Sequence, residues 1–158
     1  MKHGMARLAT LALVWLVGLL GSLDAHALSC QIVRVDAVFF GLYDPFYNGH
    51  TDSTGAVVFR CTDVQPTDSV VVELDRGGSG TFAPRKMSGG GWELAYNLYL
   101  DAARTVVWGD GTSGTGRYGP SLPPENEDVV VTIYGRAPSR QNLGAASYQD
   151  DLVVTLTY

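Results

Sequence analysis

The sequence has 158 residues, with 11 Lys and Arg against 16 Asp and Glu and a formal net charge of −5. That acidic balance, with no basic patch, argues against a nucleic-acid partner. The length suits one domain with a real core, and hydrophobic residues, 46% of the chain, are numerous enough to fill it.

In chain order, Lys2 and Arg7 supply a basic start, residues 8–23 are almost uninterrupted apolar sequence, and Ala25-His26-Ala27 is a small-x-small site. This is the three-part layout of a secretory signal peptide, and it predicts cleavage after Ala27. The apolar run is short for a bilayer crossing, which takes roughly 20 residues. No second hydrophobic span follows, which argues against a mature membrane protein. The expected organisation is a leader over 1–27 and one domain over 28–158.

Export would place Cys30 and Cys61 in an oxidising compartment, where a single pair bonds. In the chain-entropy model a loop of about 30 residues gives roughly 3–4 kcal/mol. Spacing disfavours a redox or metal role, because there is neither a C-x-x-C nor a cluster of ligands nearby.

Short runs rich in Val, Tyr, Thr and Phe follow at 31–35, 38–43, 56–61, 69–75, 92–100, 105–108, 128–134 and 148–158. Val70, Val72 and Leu74 alternate onto one face. Turn clusters separate the runs: RGGSG at 76–80, SGGG at 88–91 and a long loop over 109–128. Short strands at this spacing predict an all-β sandwich. Residues 101–104 could form one helical turn capped by Asp101.

Catalytic chemistry finds little support. Once the leader is gone, His50 is the remaining histidine, and no G-x-S-x-G elbow is present. Asp150 and Asp151 are neighbours on a strand, so they point to opposite faces and read as a solvated strand end. WGDGTSG, at 108–114, has a calcium-loop look, but Asp110 is its one acid. Neither a cofactor nor an enzymatic activity is expected.

Aromatic residues crowd two segments: Phe39, Phe40, Tyr43, Phe46 and Tyr47 in one, and Trp92, Tyr96 and Tyr99 in the other. Core packing is expected for Phe39 and for one face of the second group. Phe46 and Tyr47 follow Pro45 in a turn and are the candidates for contact with a glycan or an abiotic surface.

Several segments together resemble the spore coat protein U domain family, which includes subunits of archaic chaperone–usher pili. They are the early Cys30; FFGLYDP, then DSTG before VVFRC; TFAPRKM; LAYNLYLDAARTVVWGDGT; and IYGRAPSRQNLGAASYQDDLVVTLTY. The resemblance spans Cys30 to Tyr158. It implies an incomplete immunoglobulin-like β-sandwich that lacks its final strand and leaves a hydrophobic groove. A periplasmic chaperone would fill the groove first. At the outer-membrane usher, a neighbouring subunit would replace it by β-strand addition, without ATP or metal.

The groove residues implied are Tyr148, Leu152, Val154, Leu156 and Tyr158. In YQDDLVVTLTY the last four share one face, with Val153, Thr155 and Thr157 on the other. Cleavage after Ala27 would leave Leu28 and Ser29 ahead of Cys30, too short for a donor strand. The expectation is a secreted structural subunit, at a tip or in a minor position, that passes through the periplasm to the cell surface. A carbohydrate- or surface-binding module and a protective coat component are the alternatives.

Overall fold

The computed structural model describes residues 27–158; the expected leader, except for Ala27, lies outside the described residues. Eight strands form two sheets. They are β1 (Ser29–Asp36), β2 (Thr51–Thr62), β3 (Val70–Leu74), β4 (Arg85–Gly89), β5 (Trp92–Tyr99), β6 (Tyr118–Ser121), β7 (Asp128–Ala137) and β8 (Val154–Thr157). The larger sheet has the order β1-β2-β7-β5-β4 and the smaller β6-β3-β8. All of these pairings are antiparallel. The chain is an immunoglobulin-like β-sandwich with one disulfide, as expected.

Alternation explains which faces meet. Val70, Val72 and Leu74 of β3 are buried, as are Leu94, Tyr96 and Leu98 of β5 and Val131, Ile133 and Ala137 of β7. Val57, Phe59 and Cys61 of β2 complete the core, with Trp108 from the loop after β5. Trp108 is fully buried and donates its Nε1–H to Val72 O at 3.0 Å, so the indole adds volume and leaves no polar orphan. Cys30 and Cys61 are cross-strand partners and form the predicted disulfide between β1 and β2.

Three expectations for strands change. Residues 38–43 form no ladder. Their alternation is real nonetheless: Val38 and Phe40 pack on the core, and Phe40 meets Tyr96 edge-on at 5.9 Å. Residues 105–108 make isolated bridges, Tyr99 with Val107 and Trp108 with Gly116. The final run, read over 148–158, holds a ladder over Val154–Thr157, because its first half crosses from one sheet to the other.

β4 and β6 are strands that the sequence pattern does not predict. RKMSG carries two cations and a glycine, and YGPS carries a proline, so neither resembles a strand in composition. The turn at 101–104 is present: Asp101 accepts the Thr105 and Val106 amides at 2.8–3.1 Å.

Candidate functional site

The register places two unpaired edges beside each other. β1 begins opposite the end of β2, at Ser29 and Thr62. β3 begins eight residues later and pairs Val71 with Thr157, so the end of β8 lies near the start of β1. The two segments then run antiparallel, and 37–45 comes to face 143–150. There they line a depression of about 740 Å³, to which Met87 and Leu94 of the larger sheet contribute. β1 belongs to one sheet and β8 to the other, and no described strand joins them across this gap.

The wall that includes β8 is apolar where it faces in. Tyr148, Leu152, Val154 and Leu156 are half-buried and pack against the core, while Val153, Thr155 and Thr157 are exposed. Tyr148 also lines the depression and donates its hydroxyl to Gly144 O at 2.6 Å. Tyr158 is 56% exposed at the end of this wall.

Polar contacts hold this wall at successive residues. Ser88 of β4 and Gln149 exchange backbone bonds of 2.9 and 3.1 Å. Asp150 accepts the Gly78 amide at 2.8 Å and the Tyr96 hydroxyl at 2.6 Å. Burial, with Asp150 beside it, pushes the Tyr96 hydroxyl pKa up, so this group remains a donor. Asp75 accepts the Val153 amide at 3.0 Å, and its own amide donates to Val153 O at 3.1 Å. Asp150 is therefore not the solvated strand end expected from DD. It lies under a glycine turn whose main chain supplies the donor.

Asp75 is fixed from behind by Arg85. This arginine is fully buried, and it donates to Asp75 O at 2.6 and 3.0 Å, to Trp108 O at 2.7 Å and to Asn97 Oδ1 at 3.0 Å. Its guanidinium lies 4.9 Å from the centre of the Phe82 ring. Burial pulls its pKa down, and the carbonyl oxygens and the ring face offset that cost. The sequence signal was a lone Arg in TFAPRKM, with nothing local to mark it as interior.

The opposite wall is anchored at its two ends, by the β1–β2 ladder and by Tyr43, whose hydroxyl donates to Pro138 O at 2.8 Å and accepts the Gln141 amide at 2.9 Å, and it is held loosely between them. β1 is exposed along most of its length, with Ile32, Val33 and Val35 between 38% and 46% exposed. Between residues 38 and 42 the backbone accepts one hydrogen bond, from Ser53 Oγ to Phe39 O at 2.6 Å. Phe39, expected in the core, is 83% exposed, and Leu42 is 93% exposed; both line the depression. Gly41 has φ +69°, and it breaks the alternation that keeps Phe40 inward.

Beyond this wall, the turn at 44–49 presents Phe46 at 90% and Tyr47 at 59% exposure. The Phe46 amide donates to Asp44 Oδ1 at 2.8 Å, and Arg140 holds Asn48 at 2.6–2.8 Å, so the turn has a defined shape. Half-exposed Trp92 lies at the same end of the sandwich, where β4 turns into β5. His50 is exposed beside this turn. Among the described residues no group of three metal-ligating side chains comes together. In the 109–114 loop, Asp110 bonds Thr112 and lies 3.8 Å from Arg76, which is turn chemistry.

Comparison with known proteins adds three findings. The model of the Spore Coat Protein U domain matches residues 17–155. Protein U of Myxococcus xanthus is 34% identical, over 75% of this chain and 70% of that protein. Among solved structures, a similar fold occurs in a chaperone–tip adhesion subunit pre-assembly complex from archaic chaperone-usher Csu pili of Acinetobacter baumannii. The TM-score is 0.54 at 19% identity, and the match covers 84% of this chain but 40% of the chain in that structure.

Proposed function

The chain belongs to the Spore Coat Protein U domain family, and on that premise we propose that it is an exported structural subunit of a surface fibre. Its apolar groove accepts a β-strand from another protein. The observation that carries this reading is the gap between β1 and β8, where Leu152, Val154 and Leu156 turn an apolar face beside an unpaired edge. Such an edge templates pairing with any extended chain unless a specific strand covers it. An antiparallel or parallel strand laid along β8 would complete the sandwich and bury apolar area, at roughly 1.5–3 kcal/mol for each aliphatic side chain fully covered.

In this reading a periplasmic chaperone supplies the first strand. A neighbouring subunit replaces it at an outer-membrane usher, and the subunit ends at the cell surface. Tyr148 and Tyr158 contact the incoming strand at the two ends of the groove. The position proposed for it is a tip or a minor one, in which the chain receives a strand. The role is structural and calls on no catalytic group.

The test is co-production with the assembly chaperone of the same secretion system. Together the two give a soluble one-to-one complex, and the chain made alone aggregates or is degraded. A stable soluble monomer made without any chaperone would sink the proposal. Mass determination of the exported chain checks the cleavage site.

The exposed Phe46 supports a second role at the end of the sandwich that carries Tyr47 and Trp92. A turn shaped by bonds at Asp44 and Asn48 that holds a phenylalanine 90% in water is a candidate anchor on a glycan or an abiotic apolar surface. This role is compatible with a terminal position in a fibre.

A further inference from the structure

β8 pairs with β3 over four residues, from Val71 with Thr157 to Leu74 with Val154. So short a ladder fixes register weakly. A slip of one residue would exchange the inward set for Val153, Thr155 and Thr157, and burial opposes it. A slip of two would move each side chain along the groove by roughly 7 Å while keeping the same face inward. Leu152, Val154 and Leu156 are nearly interchangeable in size and polarity, so hydrophobic pattern offers little resistance to that shift. The register must be held by something other than the pattern.

Two carboxylates are placed to hold it. Asp75 follows the last paired residue of β3, and its carboxylate takes the Val153 amide while its own amide bonds Val153 O. The same carboxylate oxygen accepts the Gly77 amide at 3.1 Å. Three residues upstream of Val153, Asp150 joins the Gly78 amide, in the turn after β3, to the Tyr96 hydroxyl on β5 of the other sheet. Gly77 has φ +62°, and a Cβ there would run into the Asp150 carboxylate. Gly89 admits the main chain of Ser147 in the same way. The sequence thus spends two glycines to let residues 147–150 lie against the sandwich.

We infer that Asp75 and Asp150 are positioning residues that set the register of β8 and so keep Leu152, Val154 and Leu156 turned toward the core beside its unpaired edge. The inference deepens the strand-acceptor reading and rests on it for its functional meaning. Neither carboxylate contacts the incoming strand; each acts through the main chain of the acceptor.

The experiment refolds the full oxidised chain with a labelled synthetic peptide of about 12 residues, valine alternating with threonine, the chemistry that suits an apolar groove beside a free edge. Dissociation of the peptide and hydrogen exchange at the 153–157 amides are then followed. Asp150→Ala and Asp75→Ala are compared with Val131→Ala, which opens a core cavity away from β8 and controls for general loss of stability.

The expected result is dissociation and exchange about tenfold faster in both aspartate variants than in the control, the scale of losing one hydrogen bond to a charged acceptor. Asp150→Asn keeps the acceptor for Gly78 and should fall between. Equal rates in the aspartate variants and Val131→Ala would overturn the inference. If the unsubstituted chain holds no peptide, the strand-acceptor reading fails. The exchange comparison in the refolded chain then still decides the positioning role: selective loosening of 153–157 supports it, and uniform loosening overturns it.

Discussion

The two walls of the groove contrast in what holds them. The wall from 147 to 157 is tied by Gln149 to one sheet, by Val153 to the other and by Asp150 to both. The wall from 29 to 47 is paired to β2 along β1 and bonded again at Tyr43, but between them residues 38–42 carry one Ser53 bond, to Phe39, and much of their apolar surface faces water. A fixed edge can present hydrogen-bonding groups in a set register, and a loosely held one can adjust to cover what is laid against it. The difference teaches that order in this groove is supplied by polar contacts behind β8 and not by apolar packing alone.

The contrast is broken most severely at Arg85. Arg85→Ala leaves the carbonyls of Asp75 and Trp108 without their donor inside the protein, and leaves the Asn97 amide oxygen with the Leu98 amide at 3.2 Å as its remaining donor. Buried acceptors left so cost about 1–3 kcal/mol each, and part of that is recovered by relaxation, so a net loss of about 3–5 kcal/mol is expected. Urea unfolding of the peptide-complemented protein measures it. A loss below about 1 kcal/mol would mean that Asp75 is held by other means and that the tied wall has been overrated.

A smaller effect, on the other wall, is expected from replacing Cys30 and Cys61 together by Ser. The closed loop predicts a loss of roughly 3–4 kcal/mol at most, and strand pairing between β1 and β2 recovers some of it. The informative measurement is where exchange rises. Amides of β1 should loosen before those of 153–157. The reverse order would show that the walls are coupled and that the comparison between them is wrong.

The sandwich was legible where apolar residues alternate beside turn clusters. VVVEL, WELAYNLY and DVVVTIY gave their strands, and two cysteines gave their bond. Alternation does not tell whether a partner edge exists, so the pattern at 38–43 predicts a strand although the segment packs like one without pairing. β4 and β6 were hidden because their inward positions are Arg85, Met87 and a proline-interrupted segment. The candidate groove face was legible in LVVTLTY from its period of two. Its fixing by Asp75 and Asp150 was not, because those bonds join residues 72–78 apart in sequence and depend on a glycine turn folding beneath them.

The smallest effect on the fold is expected at the outer end of the loose wall. Phe46→Ala and Tyr47→Ala remove side chains that are largely in water, so stability should change by less than about 0.5 kcal/mol. Asp44 and Asn48 keep the turn through main-chain and side-chain bonds that neither substitution touches. A fall in adhesion to glycan arrays or apolar beads, with chaperone capture intact, would assign the loose wall's outer turn to surface contact and its inner face to the strand. If adhesion persists unchanged in the double variant, these two side chains are not the anchors. If capture falls instead, Phe46 and Tyr47 belong to the groove, and the functional division drawn along this wall must move outward past residue 47.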